Sequence, residues 1–92
     1  MHVTTPPGAL ADEYVSRLVS ACEQMGYNVH VHKPSTRLTV FLPHAGPYTN
    51  ETVTLKTTED DDLCWFWSWG ARMVEAEKIG EAAHMIATVV QG

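Results

Sequence analysis

The stretch Leu63-Cys64-Trp65-Phe66-Trp67-Ser68-Trp69-Gly70 decides how this chain is read. Side chains alternate across a strand, so Leu63, Trp65, Trp67 and Trp69 share one side and Cys64, Phe66 and Ser68 the other. Neither side is polar enough for ordinary exposure. The plainer reading is a strand buried on both faces, or one covered by the N-terminal arm and the Pro43–Pro47 loop. Packing volume prefers Cys64 and Phe66 inside, against helical Ala82 and Ala83, whereas raw hydrophobicity prefers the tryptophans inside. The expectation taken forward is that the tryptophans face outward, or are shared between a core edge and a dimer contact. Each Trp buries on the order of 150–250 Å². Three of them near Phe41 would match the largest apolar patch of a typical monomer. Trp is also the residue most enriched at interface hot spots.

Upstream of this strand the apolar period changes from helical to extended. From Ala9 to Met25, Leu10, Tyr14, Leu18, Cys22 and Met25 trace one stripe of a 3.6-residue helix, widened by Val15 and Val19. Gly26 offers the left-handed conformation that ends a helix. Tyr27, Val29 and Val31 then alternate with Asn28, His30 and His32. After the turn residues Lys33-Pro34-Ser35, Leu38, Val40 and Leu42 alternate with Arg37, Thr39 and Phe41. A third strand runs from about Glu51 to Thr57, and Glu59-Asp60-Asp61-Asp62 forms a polar connection to the fourth, Leu63–Trp69. A last helix begins near Glu75 or Lys78 and ends at Val90, with Ile79, Ala82, Ala83, Ile86, Val89 and Val90 on its stripe. Residues 71–77 either begin that helix or form a loop.

The fold class expected is α+β: a helix, a four-stranded antiparallel meander and a helix, with both helices packed on one sheet face. Residues 1–92 form a single domain, and 1–8 an extended arm in which Thr5 before Pro6-Pro7 is a helix-cap candidate. The inner face carries Val29, Val31, Leu38, Val40, Leu42, Val53 and Leu55. The outer face carries His30, His32, Arg37, Thr39, Phe41, Thr52, Thr54 and Lys56.

Composition limits the function. The 92 residues are 45% hydrophobic and 18% charged, which suits one folded core. A net charge of -5 argues against general affinity for nucleic acid or an anionic membrane. No apolar run approaches the roughly 20 residues of a membrane span. Met1 to Gly8 lacks the basic and apolar regions of a secretory signal. Two cysteines are too few for a disulfide scaffold, so a reduced, cytoplasmic chain is expected.

The chemical candidates are thin. His30 and His32, two apart on a strand, project to one side and could share a metal, but a structural zinc needs four protein ligands and a catalytic one three. Solvated strand histidines are the expected case, and His84 marks the edge of the last helix's stripe. Cys22 and Cys64 read as small buried hydrophobes. No G-x-S-x-G, phosphate-binding or dinucleotide-binding motif occurs, and the acidic run 59–62 lacks the glycine and spacing of a calcium loop. No enzyme activity, cofactor or metal is expected.

With its Trp-x-Trp-Ser-Trp-Gly run, followed by Ala82-Ala83-x-x-Ile86-Ala87-x-Val89-Val90, the chain resembles small proteins common in high-GC Gram-positive bacteria and their phages. Those carry such a strand near the C-terminus and then a short Ala-rich helix. The resemblance covers roughly the last 30 residues. In that group Glu-Pro often follows the glycine, where this chain has Ala71-Arg72. The group brings no assigned activity and implies only a bacterial or phage intracellular origin. The arrangement is also similar to secretion-chaperone-like folds, which dimerise and bind protein segments.

The functional expectation is therefore a non-enzymatic protein-interaction module, an accessory or regulatory protein that binds a partner or forms a homodimer. Trp65, Trp67, Trp69, Phe41 and Arg37 are its contact candidates. The alternative is a small-ligand or metal-binding pocket lined by Trp65, Trp67 and Phe41 with His30 and His32 as polar anchors. A third reading is weak binding of single-stranded nucleic acid, because His30, His32, Arg37 and Lys56 accompany aromatics on an open sheet.

Overall fold

The computed structural model describes residues 8–33, 35–42 and 50–91. The expected arm, apart from Gly8, and the Pro43–Pro47 loop lie outside them. The element order is α1 (Gly8–Gln24), β1 (Asn28–His32), β2 (Arg37–Phe41), β3 (Asn50–Thr57), β4 (Leu63–Trp67), β5 (Arg72–Glu75) and α2 (Ile79–Gln91). The class is α+β, as the change of period implied.

The strands form one antiparallel sheet in the order β1-β2-β3-β4-β5. The sheet has five strands where the sequence suggested four. The extra one is Arg72–Glu75, inside the segment whose state the sequence left open. It is created by a tight hairpin: Gly70 N donates to Trp67 O at 2.9 Å and Trp67 N to Ala71 O at 2.8 Å. Gly70 closes this loop at φ +92°, a conformation that glycine adopts without steric cost. The preceding hairpin is built the same way, with Asp61 N donating to Thr58 O at 3.0 Å and Asp61 at φ 65°. β4 consequently ends at Trp67 rather than Trp69, and α2 starts at Ile79.

α1 ends as Gly26 predicted. Tyr27 N reaches Cys22 O at 3.1 Å and Gly26 N reaches Glu23 O at 3.0 Å, with Gly26 at φ 96°. This is the paired-bond helix stop in which the first residue beyond the glycine packs back onto the last turn. Tyr27 and Cys22 are both buried.

Register fixes the faces. Val29 pairs with Val40 and Val31 with Leu38, Leu38 in turn with Val53, then Val53 with Trp67 and Leu55 with Trp65. Trp65 and Trp67 therefore lie on the apolar face, opposite to the outward orientation expected for them. Trp65 is 0% exposed and Trp67 9%. They belong to one core with Ala11, Val15, Leu18 and Cys22 of α1 and Ala82, Ala83, Ile86, Ala87 and Val90 of α2. The alanines taken to favour Cys64 and Phe66 inside instead share the core with Trp65 and Trp67: small helical residues leave the volume that indoles fill, as close packing requires. The Trp65 Nε1–H is satisfied by Ala76 O at 3.3 Å, so burying the polar end of the ring carries little penalty.

Candidate functional site

The opposite sheet face is polar and partly open. The same ladders that turn the tryptophans inward place His32 beside Arg37, Arg37 beside Thr54, Thr54 beside Phe66 and Phe66 beside Arg72. One row of side chains thus crosses all five strands. Adjacent to it, Lys56 pairs with Cys64, and His30, Thr39 and Thr52 form the next row. Arg37, Lys56, Arg72 and His30 are exposed, and His32, Thr39, Thr52, Thr54, Phe41 and Phe66 are half-buried.

Hydrogen bonds hold the β1–β3 part of this face in place. His32 Nε2 lies 2.7 Å from Thr39 Oγ1, which lies 3.0 Å from Thr52 Oγ1. The His30 and His32 rings meet edge to face at 4.5 Å. Lys56 Nζ sits over the Phe66 ring at 5.4 Å, a cation–π contact. Arg37, Thr54 and Lys56 line a shallow hollow. Phe66 and Arg72 line its neighbour, where Glu59 and Asp60 of the hairpin also stand.

Cys64 is 0% exposed although it points to this face, because Arg72 lies against it. The hydrogen bond to the sulfur holds the Arg72 guanidinium above its usual pKa, with Asp62 and Glu75 adding to the effect. Cys22, by contrast, lies in the core, where burial and then the Glu23 charge push its thiol up to about 11. Neither thiol has a base arranged to activate it among the described residues.

Of the sequence candidates, Arg37, Phe41, His30 and His32 share the polar face. Trp65 and Trp67 belong to the apolar face, although Trp67 also borders the hollow lined by Arg37, Thr54 and Lys56. The patch of three exposed indoles is corrected accordingly. Trp69 alone is outward, 62% exposed at the β4–β5 hairpin, with its ring stacked on Trp67 at 5.0 Å and 5°. No group of three or more His, Cys, Asp or Glu able to hold a metal occurs among the described residues. Sequence reasoning missed Arg72 as a member of the face. The run Arg72-Met73-Val74-Glu75 does not alternate, because β5 shifts register against β4 so that Arg72 and Glu75, three apart, pair with Phe66 and Cys64; the sequence therefore held no period-two signal for this strand.

Behind the hairpin, Glu51 is buried on the apolar face. Its Oε1 accepts from Ser68 Oγ at 2.9 Å and from Thr52 N at 2.7 Å. The carboxylate ties the Trp67–Gly70 hairpin to the start of β3. Among the described residues no helix is long and apolar enough to cross a membrane. No protein-family model matches this chain, and no curated protein or solved structure matches it.

Proposed function

We propose that this chain is a small, non-enzymatic protein-interaction module, an accessory or regulatory protein of bacterial or phage origin, that docks a partner on its polar sheet face. In this reading both helices lie over the apolar face. The observation that carries it is the cross-strand row His32–Arg37–Thr54–Phe66–Arg72 with Lys56 beside it. Three of the chain's six Lys and Arg side chains stand together there in a protein whose net charge is -5. Neither Arg37 nor Lys56 forms an ion pair among the described residues. Such a face offers several charged donors and two half-buried aromatic rings on a rigid support, while the tryptophans serve the core. Arg37 and Phe41 remain contact residues, Lys56, Phe66 and Arg72 join them, and Trp69 stands at the hairpin end.

The test is affinity capture from a bacterial lysate with the wild-type chain and with Arg37→Glu, followed by cross-link mapping. A protein lost with Arg37→Glu and cross-linked to β2–β4 supports the reading. A partner retained by the variant and cross-linked to α1 or α2 removes it. Light scattering on the isolated chain separates a second copy from a different partner.

A further inference from the structure

We infer that the occupant of this face is an acidic, extended protein segment that crosses the strands along the Arg37–Arg72 row; the inference rests on the docking function proposed above. Charge is the first argument. Arg37 and Lys56 are exposed and without ion pairs among the described residues, and Thr54, which pairs with Arg37 and lies two residues before Lys56 on β3, is a neutral hydroxyl. Among the described residues acids enter at the β5 side: Asp62 and Glu75 act on Arg72, and Glu59 and Asp60 line the hollow beside it.

Spacing is the second argument. Strands lie about 4.8 Å apart, so Arg37 on β2 and Arg72 on β5 are separated by three steps, about 14 Å. An extended segment advances about 3.3 Å per residue. Acidic residues four apart therefore reach both arginines, and the residue midway between them, on the same side of the segment, falls over Thr54 and Phe66 beside Lys56. The pattern recognised is an acid at alternate positions.

Two other occupants fit less well. Single-stranded nucleic acid needs free ring faces for its bases, but the Phe66 ring is already taken by Lys56. A second copy could offer its own Glu59–Asp62 hairpin. That hairpin is a tight turn whose Asp62 already acts on Arg72 in the same chain.

The experiment uses the full chain and a fluorescein-labelled Glu-Ser repeat peptide, read by anisotropy. Binding is expected at about 20 mM salt and should weaken strongly at about 200 mM, as screening of exposed charges requires. Arg37→Glu and Lys56→Glu should each weaken it about tenfold. Arg17→Glu, on α1, should leave it within about twofold. Far-UV circular dichroism checks that the exposed substitutions leave the fold intact. The inference is overturned if the peptide does not bind, if Arg17→Glu weakens it as much as Arg37→Glu, or if an oligothymidylate of equal charge binds more tightly. It is overturned equally by a dimer that Asp60→Lys dissociates. If the peptide fails while a captured partner still maps to β2–β4, the docking function survives and only the acidic occupant is lost.

Discussion

Arg72 donates from Nε and Nη2 to the Sγ of Cys64 at 3.4 and 3.2 Å, so the guanidinium forms a lid over a thiol on the polar face. The cysteine is sealed by a side chain rather than by the core. Replacing Arg72 by Ala should open it: the native chain should give no reaction with a thiol reagent, and Arg72→Ala should release one equivalent. The assay is reagent uptake under native conditions, with Cys64→Ser in the Arg72→Ala background identifying the thiol. Uptake that persists in that double variant would assign the reactive thiol to Cys22 and remove the lid reading.

Trp65 lies within β4 and Trp69 in the turn beyond its end, and the two have opposite fates. Removing Trp65 deletes a fully buried ring and its bond to Ala76 O. Trp65→Ala should cost about 3–5 kcal/mol, enough to unfold much of a small domain. Trp69→Ala should cost only about 0.5–1.5 kcal/mol, the worth of its stack on Trp67. Urea unfolding measures both. Acrylamide should quench one indole strongly, and that component should disappear in Trp69→Phe.

Gly70 tests the hairpin that creates β5. No atom lies within 4 Å of a Cβ built at Gly70, so an Ala there meets open space and pays only for its backbone conformation at φ +92°. The expected loss is about 1–2 kcal/mol, seen as a lower urea midpoint at an unchanged slope. A neutral Gly70→Ala would mean that the turn is not formed as described.

Cys22 makes stability depend on pH at the alkaline end. Its folded pKa is raised from 9.0 to about 11. Below the lower value both states hold the proton and stability is full. Between the two values the unfolded chain releases the proton and the folded chain keeps it, so stability falls as pH rises, by up to about 1.4 kcal/mol per unit. Comparing urea unfolding of wild type and Cys22→Ala from pH 8 to about 11 isolates this slope. Identical slopes would count against the buried-thiol origin.

The sequence by itself determined the α+β class, the extent of α1 and its stop at Gly26, the positions of β1 to β3 and the apolar stripe of α2 apart from Val89, which is exposed. Each of these rests on a local period or on one residue's backbone preference, which neighbours in the chain are enough to set. It also placed Arg37, Phe41, His30 and His32 together, because parity along β1 and β2 is unambiguous when one side is polar. The direction of Trp65 and Trp67 was settled only by the tertiary structure. With both sides of Leu63–Trp69 apolar, parity carries no sign, and the choice follows from register against Val53 and Leu55 and from the room left by the helical alanines. The fifth strand was likewise decided by pairing across the Gly70 turn. Arg72 belongs to the polar face because a partner strand aligns it with Phe66, a relation between residues that no local pattern encodes.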